Sequence, residues 1–156
     1  MPSPLTTVLR TDSSNDDFQT LVTFLDAELQ VRDGEDHPFY AQFNKLTNIK
    51  NVLLAYADNH AVGCGAFRSF TTDTVEIKRM YVRPEYRGRG IASVVLNGLE
   101  EWARESGFHS CVLETGYNQP EAIALYKKSG YHVIPNYGPY DNVANSICFG
   151  KTLTTK

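Results

Sequence analysis

Val82-Arg83-Pro84-Glu85-Tyr86-Arg87-Gly88-Arg89-Gly90-Ile91-Ala92 is the stretch on which the reading of this chain turns. Before it, residues 74–82 read as a strand, and Pro84 ends it. After it, Ile91, Val94, Val95, Leu99 and Trp102 recur at helical spacing, while Asn97, Glu100, Glu101, Arg104 and Glu105 face the other way. The segment is therefore a strand, a short loop and a helix start. The first N–H groups of such a helix have no intrahelical acceptor and carry a partial positive charge. Gly88 and Gly90 let the backbone curl so that these donors converge, a nest suited to a phosphate or pyrophosphate, with Arg87 and Arg89 at the rim. The bland alternative is a tight turn whose glycines only solve a backbone problem. A dinucleotide fingerprint would need a third glycine and a later acid, and a P-loop would need Gly-Lys-Ser/Thr; both are missing.

Working outward, the rest alternates strands and helices. Residues 6–11 form a first strand. Asp16 and Asp17 follow Ser13-Ser14-Asn15, and Phe18, Leu21, Val22, Leu25 and Leu29 give an amphipathic helix to about Gln30. A polar loop covers 32–38, and 39–46 is expected to be a short helix. Residues 51–57 and 61–70 form a hairpin across Asp58-Asn59-His60; Gly63 and Gly65 point to a close backbone approach there. The helix after the nest stops at Ser106-Gly107-Phe108. A strand at 110–115 is apolar at Cys111-Val112-Leu113, which suggests burial on both faces. Pro120 opens a further helix that stops at Ser129-Gly130-Tyr131. Strands at 131–134 and 146–153 close the chain. The order predicts an α/β (α+β) fold: a mixed, mostly antiparallel sheet of six to seven strands with helices on both faces.

The 156 residues suit one domain spanning 1–156. No secretory leader and no membrane span is read from the sequence, and Cys64, Cys111 and Cys148 look like buried thiols of a reducing compartment, so the expected location is the cytoplasm. The histidines lack metal-ligand spacing, and no metal is expected. Net charge is −3, from 15 basic and 18 acidic side chains. Lys78, Arg79, Arg83, Arg87 and Arg89 crowd one stretch of twelve residues with Glu85 as its single acid, leaving −7 elsewhere. That pattern suggests a local anion site and argues against nucleic acid as a partner.

Arg87-x-x-Gly90-x-Ala92, placed between that strand and helix, resembles the Gln/Arg-x-x-Gly-x-Gly/Ala acetyl-CoA motif of the GNAT superfamily of acyltransferases. Glu76-Ile-Lys-Arg-Met-Tyr-Val-Arg-Pro-Glu resembles the family's fourth strand, and Ala122-Ile-Ala-Leu-Tyr126-Lys-Lys-Ser-Gly-Tyr131 its fourth helix and exit. The strong match runs from about residue 62 to 131.

The resemblance implies a sheet splayed between its fourth and fifth strands. Pantetheine would lie in the gap on the backbone of Met80, Tyr81 and Val82, with the pyrophosphate on the N–H groups of Arg87, Gly88, Arg89, Gly90, Ile91 and Ala92. It implies acetyl-CoA as cosubstrate and N-acetyl transfer to a primary amine of a small molecule, by direct transfer in a ternary complex. Tyr126 takes the position of the general acid. Glu76, eleven residues before Arg87, matches the glutamate base of the histone-acetylating branch; an ion pair with Lys78 or Arg79 is an equal reading of it. Glu114 and water remain alternatives as base. Gln119 stands where an asparagine is usual. The acceptor pocket is expected from His37, Phe39, Tyr40 and Phe43 and from Tyr137, Tyr140 and Asp141, whose aromatic and acidic groups suit a small cationic amine. A homodimer is compatible with the resemblance. Two rivals stay open: a protein lysine or N-terminal acetyltransferase, and a non-catalytic acyl-CoA sensor.

Overall fold

The computed structural model describes residues 6–36, 38 and 48–153. Seven strands form one sheet: β1 (Thr7–Thr11), β2 (Asn51–Ala57), β3 (His60–Ser69), β4 (Thr74–Val82), β5 (Ser110–Gly116), β6 (His132–Ile134) and β7 (Ser146–Thr152). Their order is β1-β2-β3-β4-β5-β7-β6. Only β4 and β5 pair in parallel; the other neighbours are antiparallel. Among the described residues, the α-helices α1 (Asp16–Asp33), α2 (Ile91–Glu105) and α3 (Pro120–Lys128) cover its faces. The expected short helix at 39–46, and with it His37, Phe39, Tyr40 and Phe43, lies outside the described residues.

Strand alternation sorts the core into two layers. Val52, Leu54, Cys64 and Ala66 pack with Phe18, Leu21 and Leu25 of α1. Leu53, Ala55, Val75 and Ile77 pack with Val95, Leu96 and Leu99 of α2 and with Tyr126 of α3. The three cysteines are free and buried.

Local chemistry sets the boundaries. Asn15 Oδ1 accepts from the N–H groups of Asp17 (2.9 Å) and Phe18 (3.1 Å), capping α1. The helix runs a turn beyond Gln30 because Arg32 finds acids on both sides, Glu28 and Glu121, before Gly34 turns the chain at φ 55°. The hairpin turn is two residues, Asp58 (φ 53°) and Asn59 (φ 66°). Both Ser-Gly-aromatic stops close alike: Phe108 N–H donates to Ala103 O and Tyr131 N–H to Tyr126 O, each at 3.0 Å. Gly65 admits α2, since a Cβ there would meet Met80 Sδ at 2.6 Å and Leu99 Cδ1 at 2.7 Å.

Candidate active site

β4 and β5 stay together over three register pairs: Thr74 with Ser110, Val75 with Cys111, and Glu76 with Val112. From Ile77 onward β4 keeps β3 but has no partner in β5, which continues on β7 as far as Gly116. The sheet is splayed there, as expected, and the gap opens into a cavity of about 510 Å³. The cavity is walled by β4 from Ile77 to Val82, the end of β5, the start of α2, and parts of α1 and α3.

β4 is bulged inside this gap. Cys64 faces Tyr81 and Ala66 faces Lys78, so β4 holds one residue more than β3 between these pairs. Arg79 takes up the excess at φ 60°. Its guanidinium, 2 % exposed, is pinned to Asp26 of α1. A bulge breaks the ladder and re-aims the backbone, here on the strand edge that faces the gap.

At the rim, Gly88 and Gly90 both have φ 79°. Gly90 caps α2 with no side-chain hydrogen bond, and no acid stands in the first turn. The Arg87 N–H closes the preceding turn on Pro84 O at 3.2 Å. Among the described backbone bonds, none outside helices and strands uses the N–H of Gly88, Arg89 or Gly90. Of the N–H groups expected in the nest, that of Arg87 is thus already engaged, while those from Gly88 to Gly90 have no such bond.

The basic stretch is only partly pooled. Arg83 Nε donates to Ala61 O at 2.8 Å and its guanidinium lies over Phe24. Arg87 donates to Val82 O at 2.9 Å and to Glu28 Oε1 at 2.8 Å. Arg89 lies 5.0 Å over Tyr86. Arg79 holds α1, and Lys78 lies in the cavity wall. Lys78, Arg79 and Arg87 line the cavity while Arg83 and Arg89 do not, so three of the five cations share one wall.

The two candidate carboxylates differ sharply. Glu76 is 3 % exposed and fully engaged. Its Oε1 takes Arg68 Nε at 3.2 Å, its Oε2 takes the Tyr137 hydroxyl at 2.8 Å, and Lys78 Nζ stands 3.7 Å away. Glu76 is absent from the cavity lining, whereas Glu114 is part of it. Glu114 Oε2 is buried without a hydrogen-bond partner. Loss of hydration pushes the Glu114 carboxyl up to about 7, against a bond from Ser146 and the charge of Lys78. Lys78 is moved the opposite way, downward, chiefly by the same desolvation.

Tyr126 reaches the cavity from α3 and is 6 % exposed. Burial, then the nearby Glu114 charge, raises its phenol above the ordinary value, so it is protonated throughout the neutral range. Rings of Tyr131 and Phe149 fix it, at 5.8 and 6.0 Å between centroids. Gln119 lines the cavity as the N-cap residue of α3, and its side chain makes no capping bond. Among the described residues no group of three or more His, Cys, Asp or Glu is placed to hold a metal, and no helix is long and apolar enough to cross a membrane.

Residues 17–131 match the acetyltransferase (GNAT) family. The chain belongs to that family. It is 34 % identical to the IAA acetyltransferase of Azospirillum brasilense, over 96 % of this chain and 99 % of the relative. An acyl-CoA N-acyltransferase structure from Klebsiella pneumoniae superposes with a TM-score of 0.82 at 29 % identity, covering 97 % of this chain and all of that one. A GNAT structure from Elizabethkingia anophelis with acetyl-CoA bound shares the fold at 18 % identity, with a TM-score of 0.68 over 97 % of this chain and all of that one. The protein is thus an acetyl-CoA-dependent acyltransferase with the GNAT fold.

The sequence names Lys78 only within the basic stretch and as a possible partner of Glu76, and does not point to Arg68. A signal existed for Lys78: it alternates with Val75 and Ile77 and shares its parity with Thr74 and Glu76.

Proposed function

We propose that the protein is an N-acetyltransferase that moves the acetyl group of acetyl-CoA to a primary amine of a small molecule by direct transfer in a ternary complex. The observation that carries this reading is the convergence of Glu114, Tyr126 and the free edge of β4 on one cavity of about 510 Å³ beside the Gly88–Gly90 turn. Acetyl-CoA supplies the activated acyl group as a thioester. The donors from Gly88 to Ala92 would receive its pyrophosphate, aided by the α2 dipole. The unpaired edge of β4 at Met80, Tyr81 and Val82 would hold the pantetheine arm and polarise the thioester carbonyl, with Gln119 at the opposite wall.

Glu114 is the proposed base. With its carboxyl near 7 and one oxygen unpartnered, it can accept the proton of the attacking amine at physiological pH. As the C–N bond forms and the C–S bond breaks, Tyr126 gives its phenolic proton to the departing sulfur. Glu76, held by Arg68 and Tyr137, is assigned to fixing the loop between β6 and β7.

That loop favours a small acceptor over a polypeptide. Tyr137 ties it to β4, Asn145 Nδ2 donates to Asp36 Oδ2 at 2.6 Å, and Tyr117 N–H donates to Asn145 O at 2.7 Å. An open groove for a peptide would need this closure absent. Likeness over nearly full length to a protein named for acetylating IAA supports the same reading.

The test is thiol release from acetyl-CoA across a panel of amines, amino acids and peptides. Tyr126→Phe is expected to lower kcat about 10- to 100-fold with the KM for acetyl-CoA little changed. Unchanged turnover in that variant removes the acid assignment. Faster acetylation of peptides than of small amines favours the polypeptide reading. Binding of acetyl-CoA without turnover on any amine favours a sensor.

A further inference from the structure

Lys78 is a charged group in the cavity wall whose chemistry the transfer reaction leaves unused. Its side chain is 5 % exposed. An ammonium offers three donors and accepts nothing. The nearest acid oxygen, Glu76 Oε1, lies 3.7 Å away, beyond hydrogen-bond length. Glu76 does not turn toward it, because Arg68 and Tyr137 already hold both carboxylate oxygens. Lys78 Nζ is thus held by one long ion pair, to Glu76 at 3.7 Å. A buried cation left in this state is costly, and the cost falls when an anion arrives.

Glu114 presents the complementary situation on the adjacent strand. Its Oε2 is buried and lacks a donor. No salt bridge joins it to Lys78 among the described residues, although each feels the other's charge. The same cavity therefore carries a loosely paired cation on β4 and an unpartnered carboxylate oxygen on β5. A single small molecule satisfies both if it carries an anionic oxygen pair and an amine a few bonds apart.

We propose that the acceptor is an amino acid or related amino-carboxylate, with its carboxylate on Lys78 Nζ and its amine delivered to Glu114. This rests on the N-acetyltransferase reading and narrows it. It also replaces the simple cationic amine that the acidic net charge suggests: polyamines and other amines without a carboxylate leave Lys78 with its long Glu76 pairing alone.

The experiment compares matched pairs that differ only by the carboxylate: histidine and histamine, phenylalanine and phenethylamine, ornithine and putrescine. Each is assayed by thiol release with acetyl-CoA and by calorimetric titration into the protein in the presence of CoA. The wild-type protein should favour the carboxylate member of at least one pair by about tenfold or more, the scale of a charge-assisted hydrogen bond. Lys78→Met should bring that ratio close to one by raising KM, and Lys78→Arg should restore part of it. Thermal unfolding of both variants, with their KM for acetyl-CoA, separates this from misfolding. Equal or better use of the decarboxylated members, a ratio unmoved in Lys78→Met, or no binding of any pair member overturns the proposal. Robust acetylation of amines lacking a carboxylate would overturn it while leaving the N-acetyltransferase reading intact. Carboxylate-selective binding without thiol release would do the reverse.

Discussion

The Tyr137 hydroxyl donates a 2.8 Å hydrogen bond to Glu76 Oε2, joining the β6–β7 loop to β4. Phe70 and Tyr140 hold the Tyr137 ring edge-on at 4.9 and 5.9 Å, and burial followed by the Glu76 charge keeps the phenol protonated. A neutral donor bound to a carboxylate in this setting contributes about 1.5–3 kcal/mol. Tyr137→Phe keeps the ring and removes the bond. If the loop closes the proposed acceptor side, the expected result is a KM for the acceptor raised several-fold, with the KM for acetyl-CoA unchanged. Steady-state kinetics with each substrate varied in turn checks this; a rise confined to acetyl-CoA would show that the loop serves the other substrate.

Glu114 predicts a pH profile with a worked sign. Its carboxyl is raised to about 7, chiefly by burial, from an unfolded value near 4.5. As a base it must be ionised, so kcat/KM should rise with pH through about 7. Glu114→Gln should flatten that limb and lower the rate on the order of 100-fold or more. Stability moves the other way. Between about 4.5 and 7 the folded protein binds more protons here than the unfolded chain, so this group's contribution falls as pH rises. Glu114→Gln should therefore melt a few degrees above wild type at pH 8 and nearer to it at pH 5, measured by calorimetry at both values.

Gly90 takes φ 79° at the start of α2. A Cβ in that conformation costs roughly 1–2 kcal/mol. Gly90→Ala should relieve the strain by rotating the peptide, which turns the convergent donors away from one another. Affinity for CoA should drop about tenfold, while kcat at saturating acetyl-CoA changes much less. Titration calorimetry with CoA measures the first and initial rates the second. Equal loss of both would mean that the turn also orders the reacting end of the site.

Most of the architecture was legible because its signals are local. Helix α2 announces itself by period and by Ser106-Gly107-Phe108, and the nest by glycines after a strand-ending proline. The distribution of charge was not legible. Arg79 and Arg87 sit in one basic run, yet their partners Asp26 and Glu28 lie on α1, more than fifty residues earlier in the chain. The bulge at Arg79 is a feature of pairing with β3, not of composition. Glu76 and Glu114 show the same limit. Spacing favours Glu76, but the structure gives Glu76 three neighbours and leaves Glu114 with a bare oxygen in the cavity, a difference created only when β5 parts from β4.

Away from the site, a buried polar cluster ties α2 to the far edge of the sheet. Glu100 is 4 % exposed at its side chain. Its Oε1 accepts from Lys151 Nζ at 2.8 Å and its Oε2 from the Tyr131 hydroxyl at 2.9 Å, while Lys151 also donates to Ser129 O at 2.9 Å. The cluster thus joins α2, the end of α3 and β7. Removing one partner of a buried ion pair strands the other charge, which costs about 3 kcal/mol or more. Lys151→Met should lower the melting temperature on the order of 10 °C for a chain of this size. Neither residue lines the cavity, so kcat and both KM values should hold at temperatures where the variant is folded. Replacing both charges, Glu100→Leu with Lys151→Met, should recover part of the lost stability, because no unpaired ion remains. A double variant no more stable than Lys151→Met would mean that the bond between Glu100 and Tyr131, rather than the ion pair, holds α2 in place.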